Sequence, residues 1–474
     1  MLFSSSVFLM AFIPLTLLIY FAVPARFVNI RNAVLLFFSL IFYGWGEPKY
    51  ILVMLISIFA NYYMALKMEG KMKESKNGKV WLAADIGFNL SLLGFFKYAG
   101  IPGIALPIGI SFYTFQTMSY VIDVYRGKVS VQRNIMMLAT YISLFPQLIA
   151  GPIVRYSDVE HELKQRKSSP EMISEGIRRF IFGLSKKVLI ANQVAIVWEE
   201  IRNLVLTGEE VSTMAAWIGA ICYTFQIYFD FSGYSDMAIG LGKIFGFKFS
   251  ENFNYPYISK SITEFWRRWH ISLSSWFKEY VYIPLGGNRK GKARQILNIS
   301  IVWALTGVWH GAGWNFLLWG LYYGLLLIIE KLFLLEFVKK MPGLIRTVYT
   351  MFFVVLGWVI FAIEDFGLMG KYIGIMFGSS ECFFGWIDSY YSSTRFILII
   401  LAAFFSTPIA KNLVKNISGR TVKYEGGMRP GTDFIKAGAK PSSVIETVLL
   451  ASLFVLCLAY LTSGSYNPFL YFRF

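Results

Sequence analysis

Two of the three histidines in this 474-residue chain sit in short polar strings inside otherwise apolar sequence. His270 lies in "EFWRRWHISLSSWF" (Glu264 to Phe277), and His310 in "LTGVWHGAGWNFLLWG" (Leu305 to Gly320). An imidazole titrates near neutral pH, so either could give or take a proton during group transfer. Each also has a plainer reading. His310 can be a satisfied side chain at the end of an apolar helix, and His270, beside Arg268 and Trp269, can belong to an interfacial belt. Gly307, Gly311 and Gly313 form a collar around His310 that suits the close approach of a ligand or of backbone. The third histidine, His161, falls in "RYSDVEHELKQRK" (Arg155 to Lys167) and is expected in solvent.

The neighbouring polar groups carry the same double reading. Asp230 and Asp236 in "YFDFSGYSDMAIG" are either helix caps and arginine partners or acid/base groups, with Gly233 allowing a sharp break between them. The run Gly233 to Met237 lacks the second glycine of a nucleophile elbow, which disfavours a Ser-His-Asp hydrolase. Two histidines forty residues apart, with no Cys or Glu in register, do not meet zinc spacing, and no metal is expected. The turn Gly286-Gly287-Asn288, with Arg289, Lys290 and Lys292, reads as a basic loop near lipid headgroups or, more sharply, as a phosphate site. If the middle of the His270 string is helical, Trp266, His270, Leu273 and Phe277 share a face and Glu264 pairs with Arg268 four residues on. Such pairing matters because a lone charge in lipid costs at least about 2.5–3.5 kcal/mol.

The elements that must position these residues are membrane helices. The chain is 56% hydrophobic and 18% aromatic but only 15% charged, with a mean hydropathy of +0.54. That composition excludes an ordinary soluble domain. Apolar runs long enough for the roughly 30 Å hydrocarbon core recur at Leu2 to Val23, Tyr50 to Leu66, Val80 to Phe96, Met214 to Phe229, Leu297 to Val308, Phe316 to Phe333, Val348 to Ile363, Phe396 to Ile409 and Val448 to Leu461. About ten to thirteen helices are expected, some broken or re-entrant, in one integral domain. The first run has no basic n-region and no convincing cleavage site, so it reads as a retained helix, not a cleaved signal.

The net charge of +17 sits in loops and not in a nucleic-acid motif. Arg26 and Arg31, then Lys67 to Lys79, then Arg126 to Arg133, mark cytoplasmic loops and place the N-terminus outside. The segment Leu138 to Ile153, with Pro146, Gly151 and Pro152, then dips in and returns, because the basic string after it needs the same side. Lys411 to Ser443, with seven Lys or Arg, reads as a cytoplasmic linker, leaving the tail 464–474 outside. Cys222, Cys382 and Cys457 are isolated in apolar surroundings and read as inert buried thiols.

Taken together, the strings "DFSGYSDMAIG" (Asp230 to Gly240), "ENFNYPY" (Glu251 to Tyr257), "EFWRRWHISLSSW" (Glu264 to Trp276), "YIPLGGNR" (Tyr282 to Arg289) and "VWHGAG" (Val308 to Gly313) resemble the membrane-bound O-acyltransferase family. The likeness is to its bacterial alginate O-acetyltransferase branch. "PIGISFYTFQTMSYVIDVYRG" (Pro107 to Gly127), "FPQLIAGPIVR" (Phe145 to Arg155) and the terminal "YNPFLYFRF" extend it over nearly the whole chain. The related teichoic acid D-alanyl transfer proteins do not continue into "IPLGGNR", which favours acetyl.

This resemblance implies an all-α polytopic fold: a ring of helices around a thinned centre with funnels to both sides and a catalytic block at 228–319. It implies His310 as general base or transient acyl carrier, with His270 polarising the thioester carbonyl or relaying a proton. Asp230, Tyr234, Asp236, Asn252, Asn254, Trp266 and Trp309 would line the acyl channel, and Arg267, Arg268, Arg289 and Lys290 would hold the CoA phosphates. No cofactor is implied beyond acetyl-CoA as donor substrate. The implied partners are an extracytoplasmic polysaccharide and an exported SGNH-type transferase, met at the bacterial inner membrane. A transporter of a polymer or lipid intermediate predicts paired halves with matching interruptions, which the single polar block lacks. A non-catalytic scaffold would survive loss of both histidines.

Overall fold

The computed structural model describes residues 1–474 except 75–76, 102–104, 150, 419–421, 426–433, 438–443, 464–466 and 469–474. The described chain is helical apart from one short antiparallel ladder, Val422–Glu425 with Phe434–Ala437. That ladder lies in the segment expected to be a linker, which is entered through the helix Ile409–Ser418. The apolar runs read from the sequence build helices, among them Ile51–Lys73, Lys79–Tyr98, Lys292–His310, Trp314–Ile329 and Gly343–Ala362. Among the described residues, five stretches are long and apolar enough to cross a membrane: Pro48–Lys73, Lys79–Tyr98, Pro170–Thr207, Gly343–Ala362 and Val444–Thr462. Phe8–Ala22, Val28–Gly44 and Phe396–Phe405 are shorter apolar helices.

Pro170–Thr207 is absent from the apolar runs of the sequence because Arg178, Arg179, Lys186 and Lys187 interrupt it. Arg179 is ion-paired to Asp236 at 2.8 Å and Lys187 to Asp230 at 2.7 Å. The break that Gly233 would allow does not occur: Thr213–Ile244 is one helix of 32 residues. A helical glycine costs only about 1 kcal/mol, and the packing of a helix this long outweighs it. Within Leu138 to Ile153 the helix is interrupted. Ile135–Ser143 stops at Leu144, and the single turn Phe145–Leu148 follows, with the Phe145 N–H donating to Ser39 Oγ at 3.0 Å.

Chain contacts divide the molecule into two compact units. The first comprises Met1–Leu184, Tyr234–Ser250 and Val448–Thr462. Its centre is aromatic: Phe12 meets Phe145 edge-on at 5.3 Å, and Phe3 stacks on Tyr234 at 4.4 Å. Three of its helices, Ile51–Lys73, Lys79–Tyr98 and Ile110–Tyr125, are joined by buried polar groups. The Asn61 and Asn89 amides donate to each other at 3.3 and 2.8 Å, and Thr117 Oγ1 donates to Asn89 Oδ1 at 3.0 Å. Side-chain hydrogen bonds of this kind replace the hydrophobic drive that helices lose in lipid.

The second unit comprises Ser185–Gly233, Glu251–Thr447 and Ser463–Phe474 and holds both candidate histidines. Within it, Lys292–His310 and Trp314–Ile329 pack as a close hairpin. A Cβ at Gly307 would come within 2.5 Å of the Phe316 carbonyl oxygen, and one at Gly311 would strike the Phe316 ring. The glycine collar therefore admits the chain's own backbone and ring.

Candidate active site

The His270 segment is two short helices, Ile262–Arg268 and Ile271–Phe277, and not one continuous helix. His270 between them has φ 44° and ψ 55°, a left-handed conformation that few non-glycine residues hold without outside support. Trp266, His270, Leu273 and Phe277 consequently do not share one helical face. The pairing within the segment does form: Arg268 Nη2 lies 2.9 Å from Glu264 Oε1.

Asn252 supplies the support at the break. Its carbonyl accepts the Ile271 N–H at 2.9 Å, and its Oδ1 accepts the Ser272 N–H at 3.1 Å and the Ser272 hydroxyl at 2.9 Å. Because the Ser272 N–H can only donate, the atom facing it must be the amide oxygen. That same oxygen lies 3.2 Å from His270 Nδ1, so Nδ1 carries the proton and donates. Nε2 of His270 is buried with no protein hydrogen-bond partner, leaving its lone pair open. Burial in this apolar setting pushes the imidazole down to about 3, so the ring is neutral at physiological pH.

At the other end of the first short helix, Glu330 is fully buried and caps it. Its carboxylate accepts the Ile262 N–H at 2.7 Å, the Thr263 N–H at 2.9 Å, the Thr263 hydroxyl at 2.8 Å and the Tyr349 hydroxyl at 3.3 Å. Two of the orphan N–H groups at a helix start are thereby satisfied by an anion favoured at that end of the helix dipole. Sequence reasoning missed Glu330. The signal was a lone carboxylate closing the apolar helix Trp314–Ile329, and an ionisable residue there calls for a partner.

The two histidines belong to one aromatic cluster. His270 meets Phe231 edge-on at 4.6 Å and Trp309 at 6.2 Å, while His310 lies 4.9 Å from Trp309, 5.0 Å from Trp319 and 5.2 Å from Phe361. Trp309 is thus the ring common to both. Trp266 packs behind this cluster against Trp303, Trp319 and Tyr323. His310 is 8% exposed and His270 2%, so the cluster is nearly dry. Asn315 fixes its edge by donating to the Phe361 carbonyl at 3.0 Å.

The other expected site residues are dispersed. Asp230 is buried against Lys187 at 2.7 Å, one position before Phe231. Tyr234 and Asp236 belong to the first unit, where Asp236 pairs with Arg179 and Tyr234 stacks on Phe3. Asn254 is exposed and clamps the hinge through its backbone, its N–H donating to the Arg268 carbonyl and its own carbonyl accepting Arg268 Nη1. Arg267, Arg289 and Lys290 are exposed, and Arg268 is held by Glu264. His161 is exposed, as expected. Cys222 and Cys457 are buried, but Cys382 is only half-buried, with Sγ 3.5 Å from Glu210. No cluster of metal-ligating side chains occurs among the described residues.

The model of the membrane-bound O-acyltransferase family matches residues 128–369, which contain both histidines, Asn252 and Glu330. The chain belongs to this family. It is accordingly a membrane-bound O-acyltransferase. It is 38% identical to the "Probable alginate O-acetylase AlgI" of Pseudomonas putida over 100% of both chains. It is 35% identical to the "Peptidoglycan O-acetyltransferase" of Helicobacter pylori over 77% of each. The "Teichoic acid D-alanyltransferase" of Bacillus subtilis is 30% identical over 55% of this chain and 69% of its own. The second unit holds both histidines, and Asn252 and Glu330 bond to the two short helices around His270 from two directions.

Proposed function

We propose that this acyltransferase takes an acetyl group from cytoplasmic acetyl-CoA and passes it toward hydroxyls of an extracytoplasmic polysaccharide, with an exported SGNH-type transferase completing delivery. The observation that carries the reading is the shared aromatic cluster of His270, Trp309 and His310, in which His270 presents an open Nε2. The full-length similarity to an alginate O-acetylase and the shorter one to a D-alanyltransferase favour acetyl over D-alanyl. The protein lies in the bacterial inner membrane in this reading, with both termini outside.

A thioester is already activated, so the site must supply a base, positioning and a dry setting. His310 accepts the proton of the attacking hydroxyl as its oxygen bonds to the acetyl carbonyl carbon. The C–S bond then breaks, and the proton passes to the CoA sulfur, so donor and acceptor balance. His270, with Nδ1–H engaged by Asn252, offers an acceptor at Nε2. In that tautomer it orients a hydroxyl or thiol by taking its hydrogen bond, and does not polarise a carbonyl.

The test is acetyl-CoA turnover by the purified protein in nanodiscs, comparing wild type with His310→Ala and His270→Ala at matched folding. Activity should vanish with His310→Ala and fall with His270→Ala. Equal turnover by all three would sink the reading.

A further inference from the structure

The first unit buries two arginines without a counter-ion. Arg31 is 5% exposed and Arg166 4%, and both lie against one ring, their guanidinium carbons 4.7 and 5.6 Å from the Tyr20 centroid. Arg31 gives its Nε–H and Nη2–H to a single neutral acceptor, the Val23 carbonyl, at 3.0 and 2.8 Å. Arg166 donates through Nε to the Tyr20 hydroxyl at 2.9 Å and the Phe245 carbonyl at 3.1 Å, and through Nη1 to Asn32 Oδ1 and the Glu162 carbonyl. Its Nη2 is buried with no hydrogen-bond partner. Among the described residues no carboxylate pairs with either guanidinium, and even Glu162 is met at its backbone oxygen. Arginine is almost never this buried unless paired, because a charge taken out of water costs more than neutral acceptors return. Burial chiefly, and also the like charge of Arg31, lower the Arg166 value from its ordinary one, so the two charges sense each other. Arg31 stands besides in the first turn of the helix Val28–Gly44, the positive end of the helix dipole, and no side chain caps that start.

We infer that Arg31 and Arg166, gathered on Tyr20, bind a phosphate group, carried either by an anionic phospholipid or by a free phosphate ion. The site is independent of the acetyl-transfer reading. Guanidinium forks match phosphate oxygens in both geometry and charge. An uncapped helix start adds N–H groups of the right sign. Phe21, 5.8 Å from the Arg31 guanidinium, is exposed, as is Phe27 at the helix start, so apolar surface fit for an acyl chain adjoins the charges. That surface favours the phospholipid as the source.

Thermal unfolding of the full chain, delipidated in detergent, tests the assignment. Phosphatidylglycerol should raise the wild-type midpoint several degrees more than phosphatidylcholine does, and that increment identifies a phospholipid. An increment from inorganic phosphate over chloride at equal ionic strength, with none from phosphatidylglycerol, identifies the free ion. Arg31→Gln keeps an amide that can donate to Val23 but removes the charge, so it should lose the increment. Lys73→Gln, at an exposed cation ending another helix, should keep it. An Arg31 that only braces Val23 would lower the midpoint equally with and without added phosphate. Native mass spectrometry of wild type gives a reading that needs no variant to fold: phosphatidylglycerol or phosphate adducts should outlast phosphatidylcholine adducts. No increment from either phosphate source, an increment that survives Arg31→Gln, one that Lys73→Gln also loses, or equal loss of all adducts would each overturn the inference.

Discussion

Asn252 decides which nitrogen of His270 is available. Its oxygen is committed to three donors, and the third is Nδ1–H, so the open lone pair can only be on Nε2. Asn252→Ala should let the ring rotate and the tautomers mix while leaving the acetyl-CoA KM nearly unchanged. Because a positioned acid/base group contributes about 10²–10⁴-fold, kcat should fall by about 10²-fold. A kcat within twofold of wild type, as measured in nanodiscs, would sink the positioning role. The depressed His270 value also fixes a stability trend. The unfolded imidazole takes its proton near its ordinary value of about 6.5, and the folded one only near 3. Between those values the unfolded state binds more protons, so this group removes stability as pH falls through that window and has no effect above it. Thermal unfolding of wild type and His270→Phe should therefore converge as pH drops toward 4. A wild-type advantage that stayed constant across that range would refute the burial account.

At the scale of elements, the His270 hinge needs two anchors that lie far from it in sequence. Asn252 is eighteen residues upstream of His270, and Glu330 lies sixty-eight residues beyond the Ile262 it caps. The sequence shows why such a break is hard to foresee. Glu264 and Arg268 at helical spacing are a local signal and were legible, while a left-handed histidine stabilised by remote partners leaves no local mark. Gly233 shows the converse, a local breaker overridden by the packing of a 32-residue helix. Glu330→Gln keeps one acceptor oxygen but turns the other position into an amide that cannot accept from Thr263. Leaving a buried N–H unmet costs about 1–3 kcal/mol, so the variant should unfold several degrees lower in detergent and lose kcat more than KM. A variant with unchanged melting and unchanged kcat would show that the cap does not position the hinge.

At the scale of the whole molecule, membrane class and family were legible because apolar run length and long motif strings survive without coordinates. The helix Pro170–Thr207 was not, because its charges hide it until their partners are seen. That helix and Thr213–Ile244 each contribute residues to both compact units. Lys187 and Asp230 pair within the second unit at 2.7 Å, each only 2–3% exposed, and Lys187 also donates to the Pro468 carbonyl. Asn192 donates to Asn467 at 3.1 Å, so the described part of the tail is tied to the same helix. The expected placement of 464–474 outside the membrane otherwise falls on residues outside those described. A buried pair of this kind contributes little net stability over well-packed apolar side chains, yet removing one partner strands a charge at about 3–5 kcal/mol. Asp230→Asn should therefore lower the thermal midpoint in detergent sharply, and Lys187→Met with Asp230→Leu should recover most of the loss. The recovery separates desolvation from specific pairing. If the double variant melts as low as the single, the pair stabilises through its own geometry, and if Asp230→Asn melts like wild type, Lys187 is not stranded by its loss.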